Sequence, residues 1–179
     1  MARGPGYFTA AIVIVLVVAF IILVFHSPVH YEDSIKLGAK VLSCSIPSGQ
    51  AKVRLDYHMQ NEGASDGDTL IMNPKFLNQW PPVVRWFVFE HECGHLQYEN
   101  NGGTELQADD YAVRAGIKQG WLKVEDLQSI CDAWEDEPET SDHPSAQRRC
   151  DNLSDRWDEY AAPEKPITPK PVLIHRQAN

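Results

Sequence analysis

Pro81 to Val113 reads PPVVRWFVFEHECGHLQYENNGGTELQADDYAV, and this stretch decides the fold. Pro81-Pro82 signals helix entry, because proline is tolerated in a first turn. Val83, Val84, Trp86, Phe87 and Phe89 follow, then His91 and His95. The run is apolar nearly all round, the pattern of a buried helix. Asn100-Asn101-Gly102-Gly103 stops it. Thr104 is a good N-cap for a second helix, with Leu106, Ala108, Tyr111, Ala112 and Ala115 spaced for packing. Two helices joined by a short polar turn therefore form the centre of the domain.

Downstream, Gly116 and Gly120 bracket the end of the second helix. Val124 to Trp134 predicts a third helix and Pro144 to Tyr160 a fourth. The acidic run Glu135 to Glu139 opens the loop between them and reads as solvated surface. Upstream, Lys52 to Gln60 (KVRLDYHMQ) alternates apolar and polar residues with the period of a half-buried strand. Residues 63–68 (GASDGD) are turn-forming material, and Thr69 to Met72 is a second strand ended by Asn73-Pro74. The expectation is an α+β domain, mostly helical, with a short antiparallel sheet. Trp80, Trp86, Trp121, Trp134 and Trp157 read as core or interfacial packing.

The chain has 179 residues, room for one small domain with flanking segments. Tyr7 to Phe25 (YFTAAIVIVLVVAFIILVF) carries no charge. A helix of that length spans the hydrocarbon layer of about 30 Å. Residues 25–30 hold no small-residue cleavage site, so the segment reads as an uncleaved anchor. The expected organisation is an anchor and connector over 1–30, a domain over 31–160, and a proline-rich tail over 161–179. Arg3 and the terminal amine precede the span while Glu32 and Asp33 follow it, which puts the domain on the extracytoplasmic, periplasmic side. Cys44, Cys93, Cys131 and Cys150 are an even set that suits an oxidising compartment. Cys131 with Cys150 is the easiest local closure, leaving Cys44 with Cys93. Four reduced core thiols are the alternative. A net charge of −9 argues against a nucleic-acid partner, and no phosphate-cradling motif points to a nucleotide.

His91-Glu92-Cys93-Gly94-His95 matches H-E-x-x-H. Histidines at i and i+4 share one helical face, so both imidazoles can hold one Zn²⁺. Glu92 is placed to take a proton from an attacking water that such an ion acidifies. A third protein ligand is required if one position is to stay open. Position 101 is Asn, which excludes a third histidine at the metzincin spacing. Glu105 and Asp109 are the candidates, again i and i+4. His26, His30, His58 and His175 carry no catalytic expectation, and Tyr98 and Tyr111 are weaker oxyanion candidates. Asp110 reads as ordinary surface charge.

Thr104 to Val113 (TELQADDYAV) resembles the E-x-x-A-D segment of gluzincin peptidases. The resemblance implies Glu105 as third ligand, Asp109 as a carboxylate orienting a ligating histidine, and Ala108 as the small residue that lets two helices approach. Asp142 to Arg149 (DHPSAQRR) resembles the H-P-x-x-x-x-R segment of membrane-associated prenyl-protein (CAAX) endopeptidases. A small bacterial family of exported HECxH proteins is similar as well. The resemblance covers residues 83–153 and implies a zincin-like fold. His143 and Arg149 are then candidates for catalytic roles at the oxyanion, with a clamp between Arg149 and Asp109 as the alternative for the arginine. His95 and Glu105 are separated by a short link, which leaves no room for a substrate-covering insertion.

The resulting expectation is zinc-dependent hydrolysis of peptide bonds in a peptide or protein substrate by a membrane-tethered enzyme. Thr69 to Met72 is expected to be the strand edge that aligns the substrate. The rival expectation is a non-catalytic zinc protein or an adaptor that uses a metallopeptidase-like fold.

Overall fold

The computed structural model describes residues 30–98, 103–134, 139–140 and 143–162. The expected membrane span (7–25) and the proline-rich tail from 163 lie outside the described residues. Among the described residues no helix is long and apolar enough to cross a membrane.

The fold is α+β. Among the described residues eight short strands come first: β1 (Tyr31–Glu32), β2 (Ile35–Leu37), β3 (Lys40–Leu42), β4 (Ser45–Ile46), β5 (Gly49–Gln50), β6 (Lys52–Leu55), β7 (Gly63–Asp66) and β8 (Thr69–Met72). Five described helices follow: α1 (Pro74–Leu77), α2 (Pro82–Gln97), α3 (Glu105–Lys118), α4 (Leu127–Asp132) and α5 (Ala146–Ala161). A 3-10 turn, Val124–Asp126, supplies the start of the expected third helix. Thr104 caps α3 as expected, its side chain accepting from the Gln107 amide while the Gln107 side chain accepts from the Thr104 amide.

The main sheet has four strands in the order β1-β6-β8-β7. Its outer pairings, β1 with β6 and β7 with β8, are antiparallel, as are the two-stranded pairs β2–β3 and β4–β5. The pairing expected between Lys52–Leu55 and Thr69–Met72 is made, but it is parallel. The cause is β7. Gly63–Asp66, read from sequence as turn, is a strand that forms a hairpin with β8 through Gly67, whose φ is +60°. With that side of β8 taken, β6 pairs along the other side and runs the same way. β7 escaped detection because Gly-Ala-Ser-Asp carries no apolar alternation. β8 is therefore interior, and the edge expected of Thr69–Met72 belongs to β7.

α2 lies between two apolar clusters. Phe89 and Cys93 enter the sheet-side cluster with Val53, Leu70 and Met72. Val84 and Phe87 enter the helical cluster with Ala112, Val113, Ile130 and Leu153. A helix packed on both faces is apolar nearly all round, which accounts for the sequence pattern. α2 and α3 cross closely: a Cβ on Gly94 would sit 2.9 Å from the Ala108 Cα. Disulfides join Cys44 to Cys93 and Cys131 to Cys150. The first ties α2 to the strand layer and the second ties α4 to α5.

Candidate metal centre

α2 presents His91 and His95 on the face that meets α3, and the N-terminal turn of α3 presents Glu105. The His91 Nε2 and His95 Nε2 atoms are 3.1 Å apart. Glu105 places Oε2 at 3.2 Å from His91 Nε2 and Oε1 at 3.4 Å from His95 Nε2. Ligands about 2.0–2.1 Å from a tetrahedral ion stand about 3.3–3.4 Å from one another, so this triangle has the edge length that Zn²⁺ requires. The donor set, two imidazoles and one carboxylate, could hold a metal ion. Of the two carboxylates left open by the sequence, Glu105 is the one that faces the imidazole Nε2 atoms.

Asp109 stands one turn further along α3 and is fully buried. Its Oδ1 accepts from His91 Nδ1 at 2.8 Å. A carboxylate only accepts, so the Nδ1 proton stays between them and the Nε2 lone pair is left for a metal. Arg149, 5% exposed, donates to the same carboxylate through Nε (2.9 Å) and Nη2 (2.7 Å). This bidentate fork is the clamp alternative considered for the arginine. Trp134 covers it, with its ring centre 3.8 Å from Arg149 Cζ. The disulfide Cys131–Cys150 lies alongside, since Cys150 follows Arg149 and Cys131 is one turn before Trp134.

The electrostatics follow from this packing. Burial lowers the tendency of His91 to protonate, but its hydrogen bonds to Asp109 and Glu105 overcome that and push it up to about 9. Burial raises Glu105, yet hydrogen bonds from His91 and His95 hold it far below the ordinary carboxylate range. Asp109 is also held low: burial opposes ionisation, while His91 and Arg149 favour it more strongly. Glu92 differs from both. Burial is the dominant influence and pushes its carboxyl up, against the pull of His91 and His95. A raised carboxyl suits a group that must both accept and release a proton.

His91, Glu92, His95, Glu105 and Arg149 line a cleft of about 580 Å³. Its opposite wall is β7 with the preceding Asn61 and Glu62. Gly63 faces Glu92: a Cβ there would lie 2.9 Å from Glu92 Cγ. Gly63 thus makes room for the Glu92 stem, a role missed in the sequence because the glycine was taken as turn material. Trp134, expected from sequence only to pack, also lines the cleft. His143 is at the rim, its side chain 57% exposed and its Nδ1 3.3 Å from Glu105 Oε1. Tyr98 and Tyr111 do not line the cleft. His30 and His58 border a different groove, beside β6. Asp110 is not merely solvated, since it accepts from Arg114 and from the Tyr160 hydroxyl and so joins α3 to α5.

A scan against protein-family models, a search of curated proteins and a search of solved structures each return no significant match.

Proposed function

We propose that the chain is a membrane-tethered zinc metallopeptidase of the zincin type. His91, His95 and Glu105 hold the metal, and Glu92 transfers the proton. The observation that carries this reading is the His91–His95–Glu105 triangle of 3.1–3.4 Å edges set beside the half-buried Glu92 carboxyl of raised pKa, in a cleft walled by a strand edge. A bound Zn²⁺ supplies Lewis acidity and brings the pKa of water toward about 7. Glu92 takes a proton from the attacking water and passes it to the leaving amine. The peptide backbone adds to the free edge of β7. His143 donates to the oxyanion from the rim. Residues 7–25 anchor the domain in the membrane, and two disulfides suit the oxidising, periplasmic side.

The approach of His143 to Glu105 favours a second reading, in which His143 closes the fourth position of a structural zinc site. The test of the metal common to both is the zinc content of the full chain, purified in detergent under oxidising conditions, beside His95→Ala. One zinc per chain, lost in the variant, is the expected result. A folded wild type without zinc sinks both readings.

A further inference from the structure

A small apolar pocket opens off the metal cleft and has no part in the chemistry above. It shares Glu62, Phe87, Val88 and Trp134 with the cleft lining, so the two spaces adjoin. Val84 of α2 and Ile130 of α4 form its base, both almost fully buried. Trp80 forms another wall and donates from its indole nitrogen to Glu62 Oε1 at 3.2 Å. That bond ties the wall to the residue next to Gly63, and so to the β7 edge along which a substrate backbone would run.

We propose that this pocket receives a substrate side chain beside the scissile bond and selects small aliphatic residues, alanine and valine, over aromatic ones. The inference rests on the peptidase reading. The reason is volume and chemistry together. The pocket measures about 30 Å³, against about 580 Å³ for the cleft. A single water needs about 10–15 Å³ on this measure, so the space takes two or three heavy atoms. A methyl or isopropyl group fits, and a phenyl ring does not. Its walls are apolar apart from Glu62, so a methyl or isopropyl group entering it exchanges water for apolar contact. A methylene in such a pocket is worth about 10–200-fold in selectivity. Ala133, half-buried at the pocket wall, is the position from which to fill it.

The experiment uses one peptide series that varies a single residue among Ala, Val, Leu, Phe and Ser. Cleavage is measured with the zinc-loaded wild type, and binding by calorimetry with zinc-loaded Glu92→Gln. The expected result is at least tenfold preference for Ala or Val over Phe in both. Ala133→Leu should shift that preference toward Ala alone. Ile130→Ala should admit Leu and Phe, with thermal melting confirming that each variant folds. Cleavage with no side-chain preference overturns the pocket and keeps the hydrolase. Selective binding without cleavage by the wild type keeps the pocket and overturns the hydrolase. No binding of any peptide overturns both.

Discussion

Glu105 and Asp109 stand one turn apart on α3, yet they belong to two unlike halves of the metal centre. The cleft half holds Glu92, His95, Glu105 and His143, all with some access to water. The buried half holds Asp109, Arg149 and Trp134, all under 10% exposed, with His91 bridging the two. In the buried half Arg149 donates twice to Asp109, and the geometry is a bidentate fork under an indole ring. In the cleft half His95 and His143 approach Glu105 at 3.4 and 3.3 Å, and all four groups line the same cleft. A buried arrangement of this kind fixes the His91 ring, and an accessible one can meet a metal ion and water. The comparison teaches that carboxylates four residues apart on one helix meet different partners according to how that helix docks.

The largest effect should come from the cleft half. Glu92→Gln is expected to lower peptide hydrolysis by about 10²–10⁴-fold, the worth of a positioned acid–base group. Zinc content and melting temperature should hold, and loss of zinc in this variant would dissolve the distinction between the halves. Next is Gly63→Ala. Its Cβ would fall 2.9 Å from Glu92 Cγ, and a displacement of about 1 Å at a reacting group costs about 10²-fold. Zinc should again be retained, which a metal assay checks.

Breaking the buried half should give the converse pattern. Asp109→Ala removes both acceptors of the buried Arg149 fork, leaving Glu105 at 3.8 Å, and is expected to cost up to about 3–5 kcal/mol by chemical denaturation. Zinc affinity should fall about 10–100-fold, since His91 loses the group that fixes its proton. Unchanged stability would mean that Arg149 finds water, and that the half is less closed than its burial states.

A smaller effect separates the loaded from the empty centre by pH. His91 has a folded pKa of about 9 in the metal-free centre, above the ordinary 6.5. Its contribution to stability is therefore fully present below about 6.5 and is lost as pH rises through about 9. Zinc takes the place of the Nε2 proton, so its affinity should rise over the same interval. Thermal melts of chelated and zinc-loaded protein from pH 6 to 9 should diverge, the chelated form weakening. Parallel curves would place the proton elsewhere. The smallest effect on metal binding is expected from His143→Ala, since the side chain is 57% exposed. Under tenfold loss of zinc affinity is expected by equilibrium dialysis. A larger loss would make His143 a ligand and favour the structural zinc site.

Much of this centre was legible in the sequence. The spacing of His91 and His95 predicts a shared face because a helix turns once every 3.6 residues, whatever surrounds it. Pro82 and Thr104 mark helix starts by local chemistry alone, and both helices begin there. The cysteine pairing follows from chain proximity, given one local closure. These features depend on neighbours within a few residues, and such information is carried by the chain itself.

What the sequence by itself determined is thus the helix pair, its apolar faces, the donor types and two candidate carboxylates. Only the tertiary structure decided which carboxylate meets the imidazole nitrogens. α3 crosses α2 at Gly94 and Ala108, and that crossing turns Glu105 toward Nε2 and Asp109 toward Nδ1. Only the tertiary structure made Gly63–Asp66 a strand, because a sequence of small polar residues becomes one when β8 offers a free row of amides and carbonyls. The placing of Arg149 on Asp109, across 40 positions of chain, was likewise open until α5 docked. Contacts between residues distant in sequence depend on how whole elements pack, and no local pattern records that packing.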